Sequence, residues 1–112
     1  MKEFLLVFRR DYRTKELQPT TEQMNKHLKH WRDWYISLAA EGKLAMPIQR
    51  WDPEGRVLRQ NLTVANGSYA EVKESIRGII IIKANDYDHA VAIAQRAPVL
   101  ELGGTVEIRM AV

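Results

Sequence analysis

Cysteine is absent from the 112-residue chain. That excludes a disulfide framework, a thiolate metal site and a cysteine nucleophile. Long apolar runs are missing too. The stretch 4–8, Phe-Leu-Leu-Val-Phe, is flanked by charge and has no small-residue cleavage site after it, so it does not read as a signal peptide. No run approaches the roughly 20 apolar residues that cross a bilayer. A concentrated basic stripe is also lacking. Arg9, Arg10, Arg13, Lys15, Lys26, Lys29 and Arg32 are broken up by acids and aromatics, and 17 Lys+Arg against 14 Asp+Glu leave a net charge of only +3. Nucleic-acid binding usually needs such a stripe. The expectation is therefore a cytoplasmic protein without membrane or nucleic-acid partners. At this length it is expected to form one domain, residues 1–112, around one core.

What is present is a clear alternation of patterns. Residues 4–8 are apolar throughout and short enough for a buried strand. Residues 9–18 are polar and read as a loop. Thr20 followed three residues later by Gln23 fits a capping box, with Thr21 as the alternative cap. Met24, Leu28, Trp31, Tyr35 and Leu38 then recur at spacings of four, three, four and three, the apolar stripe of an amphipathic helix that ends before Gly42. Residues 43–51 predict a second strand, weakened by Pro47 and so suited to an edge. Asp52-Pro53-Glu54-Gly55 is a turn, and residues 56–65 form an extended excursion ending at the Asn66-Gly67 turn.

Four consecutive isoleucines at 79–82 predict a central strand buried on both faces. Asp86 caps a second helix from Tyr87 to about Arg96, which Pro98 closes. Gly103-Gly104 turns the chain into a last strand, 105–110, with Val106, Ile108 and Met110 on one face and Thr105, Glu107 and Arg109 on the other. The order β-α-β-(excursion)-β-α-β describes an α+β, ferredoxin-like βαββαβ sandwich, with the first and isoleucine strands central and the others at the edges.

Two helices cover only one face of such a sheet, yet both central strands carry apolar residues on both faces. Each large aliphatic group left in water forgoes about 1.5–3 kcal/mol, and several together form a patch of the kind that marks an interface. A second copy of the sheet is the simplest cover. A homodimer enclosing a barrel-like interior is the expectation.

The segment Asn66-Gly67-Ser68-Tyr69-Ala70-Glu71-Val72-Lys73-Glu74 resembles the Asp-Gly-Pro-Phe-(Ala/Thr)-Glu-x-Lys-Glu signature of the DGPF branch of YCII-related proteins. Pro98-Val99-Leu100-Glu101-Leu102-Gly103-Gly104-Thr105-Val106-Glu107-Ile108-Arg109 is similar to that branch's closing Pro-x-Leu-Glu-x-Gly-Gly-x-Val-Glu-Val-Arg motif. The likeness extends over nearly the whole chain. It implies a ferredoxin-like subunit in a dimeric α+β barrel, of generally unassigned activity, in a branch often encoded near extracytoplasmic-function sigma factors. Asn66 and Ser68-Tyr69 replace the signature's Asp and Pro-Phe, so a carboxylate role at the first position is lost. The His–Asp pair proposed for the YCII-type branch falls on Trp31 and Ala97, neither of which exchanges a proton.

Glu71, Lys73 and Glu74 beside Tyr69 form the strongest remaining polar cluster, in which like-charge proximity can raise a carboxyl pKa. Arg9, at the end of a central strand, and Trp34, beside the helical stripe, complete the set of expected ligand contacts. The expectation is a small organic ligand held in the barrel or at its mouth, without cofactor or metal. A metal-independent acid/base enzyme using Glu71 or Glu74 is the alternative, and a regulatory partner for a sigma factor is a third reading. His27 and His30 read as solvent-facing, and Trp51 as a packing residue.

Overall fold

The computed structural model describes residues 1–11, 14–46, 49–52, 55–66 and 74–112, with the backbone alone at 49–50, 65–66 and 74–75. Strand β1 (Lys2–Asp11) is followed by helix α1 (Thr21–Ala40), a two-residue strand β2 (Gln49–Arg50), and the short pair β3 (Arg56–Leu58) and β4 (Val64–Asn66). Strand β5 (Glu74–Ala84), helix α2 (Tyr87–Ala94), a 3-10 turn (Pro98–Leu102) and strand β6 (Thr105–Met110) complete the order. The main sheet runs β2-β5-β1-β6, antiparallel throughout. The two apolar strands are thus central, as their composition requires, and the fold is the expected ferredoxin-like α+β sandwich. The excursion pairs with itself as a separate β3–β4 hairpin.

Local chemistry fixes the helix ends. The Thr20 hydroxyl accepts the Gln23 N–H at 3.1 Å and the Gln23 side chain accepts the Thr20 N–H at 2.9 Å, a reciprocal capping box. Asp86 accepts the His89 N–H at the start of α2. Pro98 does more than close α2: it opens the 3-10 turn that carries Glu101. The second strand is shorter than its sequence suggests, since the described part amounts to a bridge at Leu44 and β2 itself. Pro47 lies outside the described residues.

One face of the sheet carries Phe4, Leu6, Phe8, Ile80 and Ile82 into a core closed by the two helices and Val99. The α1 contribution is His27, Trp31, Trp34 and Leu38. This corrects the predicted stripe: the buried face is turned so that Trp34 joins it, while Leu28 is exposed and Met24 only half-buried. A histidine is admitted to an apolar face because both its ring nitrogens find partners, as described below. Opposite Phe8 in the ladder stands Gly78, whose missing side chain leaves room for the Phe8 ring to meet Trp31 and Trp34 edge-on at 5.0 and 5.9 Å.

The isoleucine run alternates as a strand must. Ile80 and Ile82 are buried beneath the helices, whereas Ile79 and Ile81 are half-exposed on the helix-free face. There they stand in register with Val7 and Leu5 of β1. The ladder is irregular between Phe8 and Arg9, where Arg77 is an extra residue on β5 and Ile76 comes to pair with Arg9. Leu58, Leu62 and Val64 of the hairpin are exposed. Trp51 is 44% exposed rather than packed, because it lies just beyond the end of a two-residue edge strand.

Gly104 follows the left-handed Gly103 (φ 75°) and packs against both β1 and the 3-10 turn. A Cβ there would stand 2.5 Å from the Arg9 carbonyl oxygen and from Val99 Cγ2. Gly104→Ala is expected to cost about 1–3 kcal/mol, since backbone rather than a flexible side chain must yield. Urea denaturation of the variant against wild type measures it.

Candidate functional site

Three residues on one helix and one on the 3-10 turn build the most organised polar group among the described residues. Spacings of three and four on α1 set His27, His30 and Trp31 on neighbouring positions of one side. Across from them, Pro98 and the left-handed Gly103 bracket the turn that presents Glu101. His27 Nδ1 lies 3.2 Å from Glu101 Oε2, and His30 Nδ1 lies 2.8 and 3.0 Å from the two Glu101 oxygens. Trp31 Nε1 donates to His27 Nε2 at 2.8 Å.

These contacts fix the proton positions. An indole N–H only donates, so His27 Nε2 must carry a lone pair and its hydrogen must sit on Nδ1, pointing at Glu101. Protonating His27 would set two N–H groups against each other, and the ring is only 4% exposed. Burial accordingly pushes the His27 pKa below its ordinary value, against the opposing pull of Glu101, with Arg10 and Arg77 adding to the depression. Burial alone would raise the Glu101 pKa. The N–H groups of His30 and His27 outweigh that effect and leave its carboxyl below the usual range, so it is ionised at neutral pH. His30 Nδ1 therefore donates to a carboxylate, and its Nε2 is left for other partners; the side chain is 53% exposed.

His27, His30 and Glu101 form one wall of an open cleft of about 670 Å³. The other walls come from Asp11, the 16–19 stretch with Leu17 and Pro19, Gln23 and Lys26 of α1, and Leu102-Gly103. Several of its polar groups are already engaged: Gln18 Nε2 donates to the Asp11 and Thr14 carbonyls, and the Gln23 amide belongs to the capping box. Among the described residues no cluster of three or more His, Asp or Glu is arranged to hold a metal ion.

The residues expected to bind ligand are placed differently. Arg9 lies on the helix-free side of β1, where its Nη1 donates to Glu107 Oε1 at 2.6 Å; Glu107 also accepts from Arg109 Nε at 2.7 Å. Those bonds, Arg109 first, hold the Glu107 carboxyl below its ordinary pKa. Trp34 is 7% exposed under α1, among Phe8, Trp31 and Tyr35, on the opposite side of the sheet from Arg9. It also edges a small cleft of about 150 Å³ with Ser37, Lys43 and His89. The structure does not bring Arg9 and Trp34 together within one chain. Tyr69, Glu71 and Lys73 lie outside the described residues; Glu74 opens β5 in register with Asp11.

His27 and His30 are thus not simply solvent-facing, which corrects the sequence-based expectation. No local spacing joins them to Glu101, some 70 positions away. The available signal was that the Pro-x-Leu-Glu-x-Gly-Gly motif fixes a glutamate in a turn that must return to the first strand.

A βαββαβ sheet with both helices on one face, and a histidine–carboxylate group between the N-terminal half of the first helix and the closing turn, defines a ferredoxin-like α+β protein with a polar cleft. The YCII-related domain model matches residues 4–111, nearly the whole chain, and the protein belongs to that family. No curated protein matches it.

Proposed function

We propose that the protein, of the DGPF branch of its family, is a homodimer that binds a small organic molecule in the cleft beside His30 and Glu101. The observation that carries the binding site is an ionised carboxylate held between two imidazoles on the wall of an open cleft, the exposed imidazole keeping one ring nitrogen for another partner. The Glu71-x-Lys73-Glu74 segment and the closing motif support the branch. A thermal-shift panel of small carbonyl compounds, followed by amide-shift mapping, tests the site. The expected result is a hit that perturbs residues 26–30 and 101–103; a panel without hits refutes it. A hit perturbing Arg9 and Glu107 instead moves the ligand to the mouth between the two sheets.

The dimer rests on the helix-free face. Leu5, Val7, Ile79 and Ile81 form a two-by-two aliphatic patch in the middle of the sheet, bordered on β6 by Glu107 and Arg109. Among the described residues no helix covers it, although Val7 is already only 7% exposed among its neighbours, and a second copy supplies the same apolar surface around a two-fold axis. Light scattering is expected to give twice 13.0 kDa at micromolar concentration. Ile81→Lys is expected to give monomers, since a lysine at the centre of the patch would be buried unpaired. A wild-type particle of 13.0 kDa overturns the dimer.

A further inference from the structure

We propose that His30 Nε2 is a general base that moves a proton on a small, uncharged carbonyl compound with an acidic C–H. The inference rests on the cleft being the ligand site. Its geometry is that of an oriented imidazole. Glu101 accepts from His30 Nδ1 and fixes which nitrogen carries the hydrogen, leaving a lone pair on Nε2 in the neutral ring. His27, locked by Trp31, in turn holds Glu101. The chain Trp31–His27–Glu101–His30 has its buried end in the core and its exposed end at the cleft. Glu101 and His27 are positioning residues, and His30 is the catalytic one.

The lining selects the reaction class. Among the described lining residues there is no hydroxyl or thiol side chain, so nucleophilic catalysis by a covalent intermediate has no candidate atom there. The Gly103 N–H is engaged by the Leu100 carbonyl, and so is not free for an oxyanion. What the wall does offer is a base with a cation one turn away on the same helix, Lys26. His30 Nε2 takes the proton from carbon, the C–H electron pair moves into the carbonyl to give an enolate beside the Lys26 ammonium, and the imidazolium returns the proton to oxygen or carbon. Nothing else is consumed, so the product is an isomer of the substrate. Among the described residues lining the cleft, Asp11, Glu16 and Glu101 stand against the one fixed cation Lys26, a balance that disfavours anionic substrates. Leu17, Pro19 and Leu102 provide apolar contact for the carbon skeleton.

The test uses 2-tetralone, a neutral ketone with activated methylene protons, in D2O. Proton NMR follows loss of its C1 signal, and amide shifts at residues 26–30 and 101–103 report binding. Wild-type protein is expected to exchange these protons at least about 10²-fold faster than buffer, as a positioned general base does. His30→Gln is expected to return the rate to that of buffer while amide shifts still report binding in the cleft and Tm is preserved. Glu101→Gln is expected to lower the rate while binding is still detected, and to shift the His30 ring 15N resonances away from the Nδ1–H tautomer, which a merely structural role would not do. Binding in the cleft without accelerated exchange, or exchange that persists in His30→Gln, overturns the base and leaves the binding site standing. Absence of both binding and exchange at millimolar 2-tetralone overturns the substrate class and the cleft as its site.

Discussion

Phe8→Ala is expected to lower the unfolding free energy by about 3–5 kcal/mol, the range for removing a fully buried aromatic ring. Phe8 is only 1% exposed and sits where β1 passes under α1, its ring edge-on to both Trp31 and Trp34. Its ladder partner is Gly78, so no neighbouring side chain on β5 can swing in to fill the space. The cavity would remain open, at the unfavourable end of the range. Against a typical total of about 5–15 kcal/mol for a small domain, this is a third or more of the stability. Equilibrium urea denaturation measures it; a loss under about 1 kcal/mol would show that the tryptophans collapse onto the vacancy.

Acid is expected to loosen the protein through His27 and Glu101, in two adjoining windows. His27 has its folded pKa held below 6.5. The unfolded chain therefore takes up a proton there first, and stability falls as pH drops below about 6.5 until the folded value is passed. Glu101 is held below 4.5 in the fold. Its contribution is present above that value and is lost as pH falls through the folded pKa. Both act in the same direction, so thermal unfolding followed from pH 7 to pH 4 should show a continuous fall in Tm. Glu101→Ala removes the acceptor from the buried His27 N–H and is expected to cost about 1–3 kcal/mol at pH 7. It should also flatten the lower limb of the pH profile. An unchanged Tm for this variant would mean that the bond between α1 and the closing turn contributes nothing.

The architecture was legible because its signals are local and repeated. The isoleucine run, the apolar first strand, the Thr20–Gln23 box and the alternating last strand each name their own element, and their order leaves one topology. Pro47, outside the described residues, marked the predicted second strand as an edge, and β2 (Gln49–Arg50) is indeed at the margin of the sheet. The exact face of α1 was less legible. Hydropathy counts Leu28 as more apolar than His27, yet His27 is the buried one, because its two ring nitrogens are matched by Trp31 and Glu101. The polar site was hidden for the same reason. A histidine is recognised as part of a site by its partner, and Glu101 reaches helix α1 only through the turn that follows α2. Trp34, in contrast, was within reach of a period count, being seven positions from His27 on the same side of the helix.

The extra residue at Arg77 settles which face of the sheet Ile76 belongs to. Along β5 the even-numbered residues Gly78, Ile80, Ile82 and Ala84 point inward, and by strict parity Ile76 would follow them. The bulge resets the count, so Ile76 aligns with Arg9 and is turned outward. A fifth aliphatic group is thereby enrolled in the outer surface, at the end nearest the Arg9–Glu107 pair. Deleting Arg77 would make Ile76 the direct neighbour of Gly78, so the ladder would run regularly with Ile76 still outward opposite Arg9, and the local twist that the bulge adds at this end of the greasy strip would be lost.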